Sequence, residues 1–327
     1  MDEFSFIRSV QPAYYKQSSL IKGISDDAAV IRPSGGDVVT AVDTMVEDVH
    51  FSRKTMQPHH IGHRVLAANL SDLAAMGSTP AYYMVSITIP SDWSEEELIE
   101  LYAGMDDLAA RYRMDLIGGD TVSGRELSVT VTVMGTVAKG KARYRSAAVP
   151  GDVLFVTGTL GDSRGGLEWL LNEKNDSSSD QAFLIDRHRK PWPRVSFAEG
   201  LSTLQRVALN DVSDGIANEA NEIAESSGVD IHIAKDMVPF SSALKNTFPD
   251  QYQDWMLSGG EDFELLGAVP LSDWTLVQEN AETAGIKITK IGEVDEVSGD
   301  SPRVFIKESD QIAILKKSGY THLKGKG

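Results

Sequence analysis

Residues 69–77 read NLSDLAAMG, and the spacing inside this stretch decides how the surrounding chain folds. Asn69, Asp72 and Met76 stand at i, i+3 and i+7, so on a helix they share one face. The helical pattern runs back to Pro58, where a missing N–H costs nothing, and stops at Met76 with Gly77 just beyond. A helix over residues 58–76 therefore carries a carboxylate among small and apolar neighbours. On both sides the period changes from helical to alternating. Residues 38–46 and 82–89 read as strands, and residues 28–32 as another, joined to 38–46 by the turn at 33–36. Residues 95–112 read as a helix whose acidic first turn suits the helix dipole. Residues 127–137 alternate, placing Leu127, Val129, Val131 and Val133 on one face.

The basic run at 139–145 and the turn at 149–152 mark a break. They predict an N-terminal domain of residues 1–149 and a C-terminal domain of residues 150–327. The second part again mixes elements: a strand over 153–157, helices from Arg164, from Arg194 and over 215–227, and strands near Ile231, Leu265 and Ile291. Residues 172–181, with three consecutive serines, read as an exposed loop. The basic island RHRKPWPR, residues 187–194, has no role that the sequence assigns.

At 327 residues the chain is long for one core and comfortable for two domains. Hydrophobic residues at 41% and charged residues at 24% predict a globular protein. The absence of cysteine removes disulfides, thiolate metal sites and thiol nucleophiles, and fits a cytoplasmic enzyme. No apolar run approaches a membrane span, and the acidic start MDEF argues against a secretory signal. The formal charge of −17 makes nucleic acid and anionic membranes poor partners. Such a chain can handle phosphates only if something neutralises them, and bound divalent cations are the evident means.

The placing of the carboxylates bears on that. Asp26 and Asp27 precede AAV, Asp43 lies in AVDTMVEDVHF, and Asp72 in NLSDLAAMG. Asp120 ends LIGGD, Asp211 and Asp214 lie within NDVSDG, and Glu261 and Asp262 follow SGG. We expect these at strand ends and turns, wedged between small or apolar residues. A carboxylate there is costly unless paired, hydrogen-bonded or bound to metal. Hard oxygen donors select Mg²⁺, Mn²⁺ or Ca²⁺. Each acid alone is more often a cap or turn former, as Asp162 reads; together they point to a shared cation site. Gly118-Gly119 and Gly259-Gly260 let backbone approach a ligand closely. The glycine-rich segment 158–166 suits an anion, but it is neither a Walker A loop nor a dinucleotide fingerprint. No protein-kinase signature set is present.

Taken in order, GISDDAAV, VDTMVEDVHF, NLSDLAAMGSTPA, LIGGDT, PGDVLFVTGTLGDS, DVSDG and SGGEDFELL resemble the thiamine-monophosphate kinase family over nearly the whole chain. Some of these motifs are shared with aminoimidazole ribonucleotide synthetase and selenophosphate synthetase. The resemblance implies a two-domain α/β (α+β) synthetase-like fold. Its N-terminal domain binds ATP and Mg²⁺ and pairs across a homodimer into a β-barrel, and its C-terminal domain is α/β. It implies transfer of the ATP γ-phosphate to thiamine monophosphate, with several Mg²⁺ ions present. The family's metal ligands fall on Asp27, Asp43, Asp72, Asp120, Asp211 and Asp214, with Val42 contributing its carbonyl. Nucleotide contacts fall on Tyr112, Gly119, Asp120, Arg145 and Ser213, and contacts to the thiamine part on His50, Glu261 and Tyr320.

The chain departs from the family at Ser25, where glycine is usual, at Ala41-Val42, where hydroxyl residues are common, and at Phe263, where tyrosine is usual. The implied acceptor is a phosphate oxygen, ionised at neutral pH, so no general base is required, and no catalytic His–carboxylate pair is evident. The rival readings are another ATP-using synthetase of the superfamily, a metal-dependent phosphatase, and a Ca²⁺-binding protein. The missing cysteine disfavours selenophosphate synthetase, and the missing EF-hand loop disfavours the last.

Overall fold

The computed structural model describes residues 9–22, 29–32, 35–172 and 178–318. Contacts divide the chain into two compact units, Met1–Leu73 with Ser78–Ala142, and Ala74–Gly77 with Arg143–Gly327.

The first unit is built on a four-stranded sheet in the order β3-β6-β4-β5. Its strands are β3 (Asp37–Val46), β4 (Thr79–Ile89), β5 (Asp115–Ser123) and β6 (Ser128–Val137). β4 and β5 run parallel, and the other pairs are antiparallel. The parallel pair needs a crossover, which α2 (Glu95–Arg111) supplies. Ser94 and Glu97 close a capping box at its start. The alternation read at 127–133 is real: Leu127, Val129, Val131 and Val133 are all fully buried.

Beside α2 lies α1 (Pro58–Ala75), which contributes Val65, Leu66, Leu70 and Leu73 to the core. The two helices meet backbone to backbone. A Cβ on Gly62 would lie 1.8 Å from the Leu101 carbonyl oxygen, and one on Gly104 would lie 2.0 Å from that of His59. Gly77 ends the helix as expected, in the left-handed region at φ +67. The short strand β2 (Val30–Ile31) pairs with β1 (Leu20–Lys22), not with β3. The expected linkage of 28–32 to 38–46 is thus one of chain sequence and not of pairing.

The second unit holds a seven-stranded sheet in the order β13-β12-β9-β11-β7-β10-β8. The strands are β7 (Asp152–Thr157), β8 (Ala208–Val212), β9 (Asp230–Ala234), β10 (Glu264–Pro270), β11 (Ile288–Asp295), β12 (Val304–Glu308) and β13 (Gln311–Ile314). Only β9 and β12 pair in parallel. Every residue of β7 is buried, as an unbroken apolar run demands of a strand covered on both faces. Helix Ile216–Ser227 covers one face with Ile216, Ala220, Ile223 and Ala224, packed with Leu154, Val156 and Ile231. On the other face Phe155 meets Phe197 edge to face and approaches Trp274.

Three expectations fail locally. Residues 172–181 are not simply a loop: a helix, Ser179–Arg189, starts after a capping box between Ser178 and Gln181. Ser178, the middle serine of the run, is the cap, and beside Leu184 the helix buries Arg187 and His188, whose polarity hides its inner face. The LIGGDT segment, expected at a strand end or turn, is the interior of β5, because Gly119 lets Val85 of β4 approach. Asp162 does not cap its helix, Asp162–Leu171; Gly161 is the cap residue, and Asp162 is buried in the first turn.

Candidate functional site

Within the first unit, Asp43 lies mid-strand in β3 and Asn69 in α1. The Asp43 amide donates to Asn69 Oδ1 at 3.1 Å, while Asn69 Nδ2 donates to the Val65 carbonyl at 2.9 Å. The face of α1 that carries Asn69 therefore looks toward Asp43. Asp43 is half-buried, and burial raises its carboxyl above the usual range, against the lowering influence of His50. His50 stands in a tight turn and accepts the Val46 amide at Nδ1, 3.0 Å, so in the neutral ring the proton is on Nε2. The turn is pinned by Glu47, which accepts from Trp93 Nε1 at 3.0 Å and from Arg53 Nε at 3.2 Å. The Arg53 guanidinium lies 4.3 Å from the Trp93 ring centroid.

Gly119 and Asp120 are in β5. A Cβ on Gly119 would lie 1.9 Å from the Val85 carbonyl oxygen, so this position admits glycine alone. Asp120 is exposed, as is Val42 on β3, and Tyr112 is the C-terminal cap residue of α2.

Within the second unit, Asp211 is buried in β8 opposite Leu265 of β10, and Ser213 and Asp214 form the turn that follows. A residue that sequence reasoning missed organises this turn. Glu219, buried in the helix after it, accepts from the Asp214 amide at 3.1 Å and from Asn210 Nδ2 at 2.5 Å. Burial, and then the charge of Asp211, push its carboxyl up to about 8. On the sequence it is one acid among several in an amphipathic helix. Arg145 is held by Glu222 in an ion pair.

Glu261 belongs to the loop Gly259–Phe263. Its amide donates to the Ser213 carbonyl at 2.6 Å, and the Phe263 amide donates to that of Val212 at 3.0 Å. Glu261 at φ +66 and Phe263 at φ +51 are both left-handed, a conformation costing about 1–2 kcal/mol per non-glycine residue. Between them Asp262 is fully buried.

Asp27 and Tyr320 lie outside the described residues. Among the described residues no three His, Asp or Glu side chains gather closely enough to cage a metal ion alone. The donor chemistry nonetheless fits Mg²⁺, which keeps several waters and takes one or two carboxylates together with substrate phosphates, not an all-protein cage. Asp43, raised by its burial, and the crowded Asp211, Asp214 and Glu219 are carboxylates that a divalent cation would relieve.

This fold and its carboxylates define an AIR synthase related protein. Residues 25–137 match that family's N-terminal domain and residues 149–305 its C-terminal domain. Within it, the chain belongs to the thiamine-monophosphate kinase family. It is 47% identical over 328 residues to the thiamine-monophosphate kinase of Bacillus subtilis (strain 168), covering 99% of this chain and 100% of that one. The crystal structure of thiamine-monophosphate kinase from Stenotrophomonas maltophilia K279a is 34% identical, with a TM-score of 0.82 over 92% of this chain and 94% of that one. The structure of AaThiL complexed with AMPPCP and TMP is 29% identical, with a TM-score of 0.77 over 92% of each chain.

Proposed function

We propose that the protein transfers the γ-phosphoryl group of ATP directly to a phosphate oxygen of thiamine monophosphate, yielding thiamine diphosphate and ADP. The observation that carries this reading is the end-to-end relationship to thiamine-monophosphate kinases, over both units of the chain. The bond from the γ-phosphorus to the bridging oxygen breaks, and the acceptor oxygen bonds to that phosphorus. The acceptor is already ionised, so no side chain need remove a proton, and the difficulty is bringing two polyanions together. Mg²⁺, when bound, would screen that repulsion and stabilise charge on the transferring group.

In this reading Asp27, Asp43, Asp72 and Asp120, with the Val42 carbonyl, hold cations from the first unit, and Asp211 and Asp214 do so from the second. Tyr112, Gly119, Asp120, Arg145 and Ser213 bind nucleotide; His50, Glu261 and Tyr320 bind the thiamine part. Arg145 would exchange Glu222 for a phosphate oxygen, which a guanidinium on the surface can do at little cost. β3 is an edge of the sheet with Val38 and Val42 exposed at 57% and 59%, which suits pairing with a second copy in a homodimer. Among the described residues no helix is long and apolar enough to cross a membrane, and a cytoplasmic enzyme is the location that fits.

The test is to incubate the purified protein with ATP, Mg²⁺ and thiamine monophosphate and to resolve the products by chromatography. Thiamine diphosphate and ADP should appear in equal amounts and vanish with a chelator. ATP hydrolysis indifferent to thiamine monophosphate would overturn the reading, and a phosphorylated protein formed during turnover would refute direct transfer.

A further inference from the structure

We propose that Asp262, clamped with Arg187, is a positioning residue that fixes the Glu261 carboxylate for the acceptor substrate. The inference rests on the reading that Glu261 meets that substrate. Asp262 spans about a hundred residues of sequence: Oδ2 accepts the Gly161 amide at 2.6 Å and Oδ1 accepts the Ser163 amide at 2.9 Å. Both amides belong to the N-terminal end of helix Asp162–Leu171, where N–H groups lack helical partners. Arg187 Nη2 then reaches the Asp262 carbonyl at 3.3 Å and Glu264 Oε1 at 2.8 Å. The basic island without an assigned role thus supplies the clamp. It grips the loop through backbone and side chain at one residue.

That residue separates the two left-handed positions, Glu261 and Phe263. A left-handed non-glycine residue relaxes when released, so something must hold it. The Glu261 and Phe263 amides are held by the Ser213 and Val212 carbonyls. Those bonds tie the loop to the end of β8, and Asp262 with Arg187 ties it to the helices Asp162–Leu171 and Ser179–Arg189. Gly260 completes the geometry, since a Cβ there would lie 2.6 Å from the Ser213 carbonyl oxygen. Loosening Asp262 lets the Glu261 carboxylate leave its place while its chemistry is unchanged.

The test is a double-mutant cycle with Asp262→Asn, Glu261→Ala and the pair, read as KM for thiamine monophosphate, KM for ATP and kcat. Asparagine keeps the shape but turns one acceptor into a donor facing an amide. Asp262→Asn should raise KM for thiamine monophosphate ~tenfold, leave KM for ATP unaltered, and have less than about a twofold effect once Glu261 is alanine. Equal factors in both backgrounds, or a rise in both KM values, would overturn the positioning role. So would an unchanged KM in Asp262→Asn when Glu261→Ala raises it. A wild-type KM in Glu261→Ala would instead defeat the underlying reading of Glu261. If Asp262→Asn gives no cooperative melt, Arg187→Lys, which keeps the charge but cannot reach both partners, is scored by the same criteria.

Discussion

The backbone amide of Asp43 and the side-chain oxygen of Asn69 are joined at 3.1 Å, tying the middle of β3 to the acidic face of α1. Asn69 has no exposed surface, and its remaining amide group is spent on the Val65 carbonyl. Asn69→Ala strips the part-buried Asp43 amide of its acceptor and frees the strand segment that bears it. It should cost about 1–3 kcal/mol of stability, read from urea denaturation, and lower turnover with it. A variant as stable and active as the parent would show that this bond does not set the position of Asp43.

Asp72 stands one turn beyond Asn69 on that face. Asp72→Ala should leave the melting temperature within a few degrees of the parent and reduce kcat on the order of 10²-fold or more. A single ligand to a charge-stabilising cation controls several kcal/mol, and each 1.36 kcal/mol is a factor of ten. Steady-state assays at saturating Mg²⁺ decide the matter, and full activity would remove Asp72 from the proposed machinery.

The elements legible in the sequence are those whose pattern records their burial. The run at 153–157, the alternation at 127–133 and the Pro58-to-Gly77 helix each show their surroundings in their spacing. What stayed hidden lacks such a record. β5 has no counterpart in the sequence reading because Gly118, Gly119 and Asp120 are turn residues by type, and only the nearness of the Val85 carbonyl explains the glycine at 119. Helix Ser179–Arg189 buries Arg187 and His188, so its inner face looks polar until Glu264 is placed beside it. The candidate site is legible as residue types, and within each unit the described members are spread over several elements. The bonds from Asp262 to Gly161 and Ser163, like those from Glu219 to Asn210 and Asp214, join residues by tertiary placement that no local motif encodes.

Glu219 gives the protein a pH dependence of definite sign. Its carboxyl is pushed up to about 8 in the folded chain from an ordinary 4.5, first by burial and then by Asp211. Between those values the folded state keeps a proton that the unfolded state has lost. The contribution is complete below about pH 4.5 and disappears as pH rises through about 8. The melting temperature of chelator-treated protein should therefore fall from about pH 5 to about pH 8.5, and Glu219→Gln should flatten the slope. Asp262, raised to about 7 by burial and then by Asp162, adds a share of its own, so the slope should not vanish. Melting curves that rise with pH over this window would contradict the assignment.

Glu264 is where the second unit concentrates its charge. Fully buried, it accepts from Arg187 at 2.8 Å, from Arg194 Nε at 2.6 Å and from Thr157 Oγ1 at 2.6 Å. Burial pushes its carboxyl up, but the charges of Arg194 and Arg187 prevail and hold it below its ordinary value. Glycine at 158 makes the room, since a Cβ there would lie 2.1 Å from Glu264 Oε1. Glu264→Ala takes the shared carboxylate from two guanidinium groups, leaving Arg187 with the more distant Asp162 side chain at 3.9 Å, and should destabilise the protein by about 3–5 kcal/mol. Deleting the whole network is a different experiment from breaking it. Replacing Glu264, Arg187 and Arg194 together by Leu, Met and Met should recover part of that loss, because no guanidinium is then left facing an absent carboxylate, while the buried Asp162 and Asp262 lose the Arg187 charge that favours their ionised forms. The triple variant should still bind thiamine monophosphate poorly, since the Arg187 contact to the Asp262 carbonyl is gone. Urea midpoints for the single and triple variants separate the two contributions. A single variant that loses less than about 1 kcal/mol would show that Arg187 and Arg194 find other partners and that Glu264 is not what binds them.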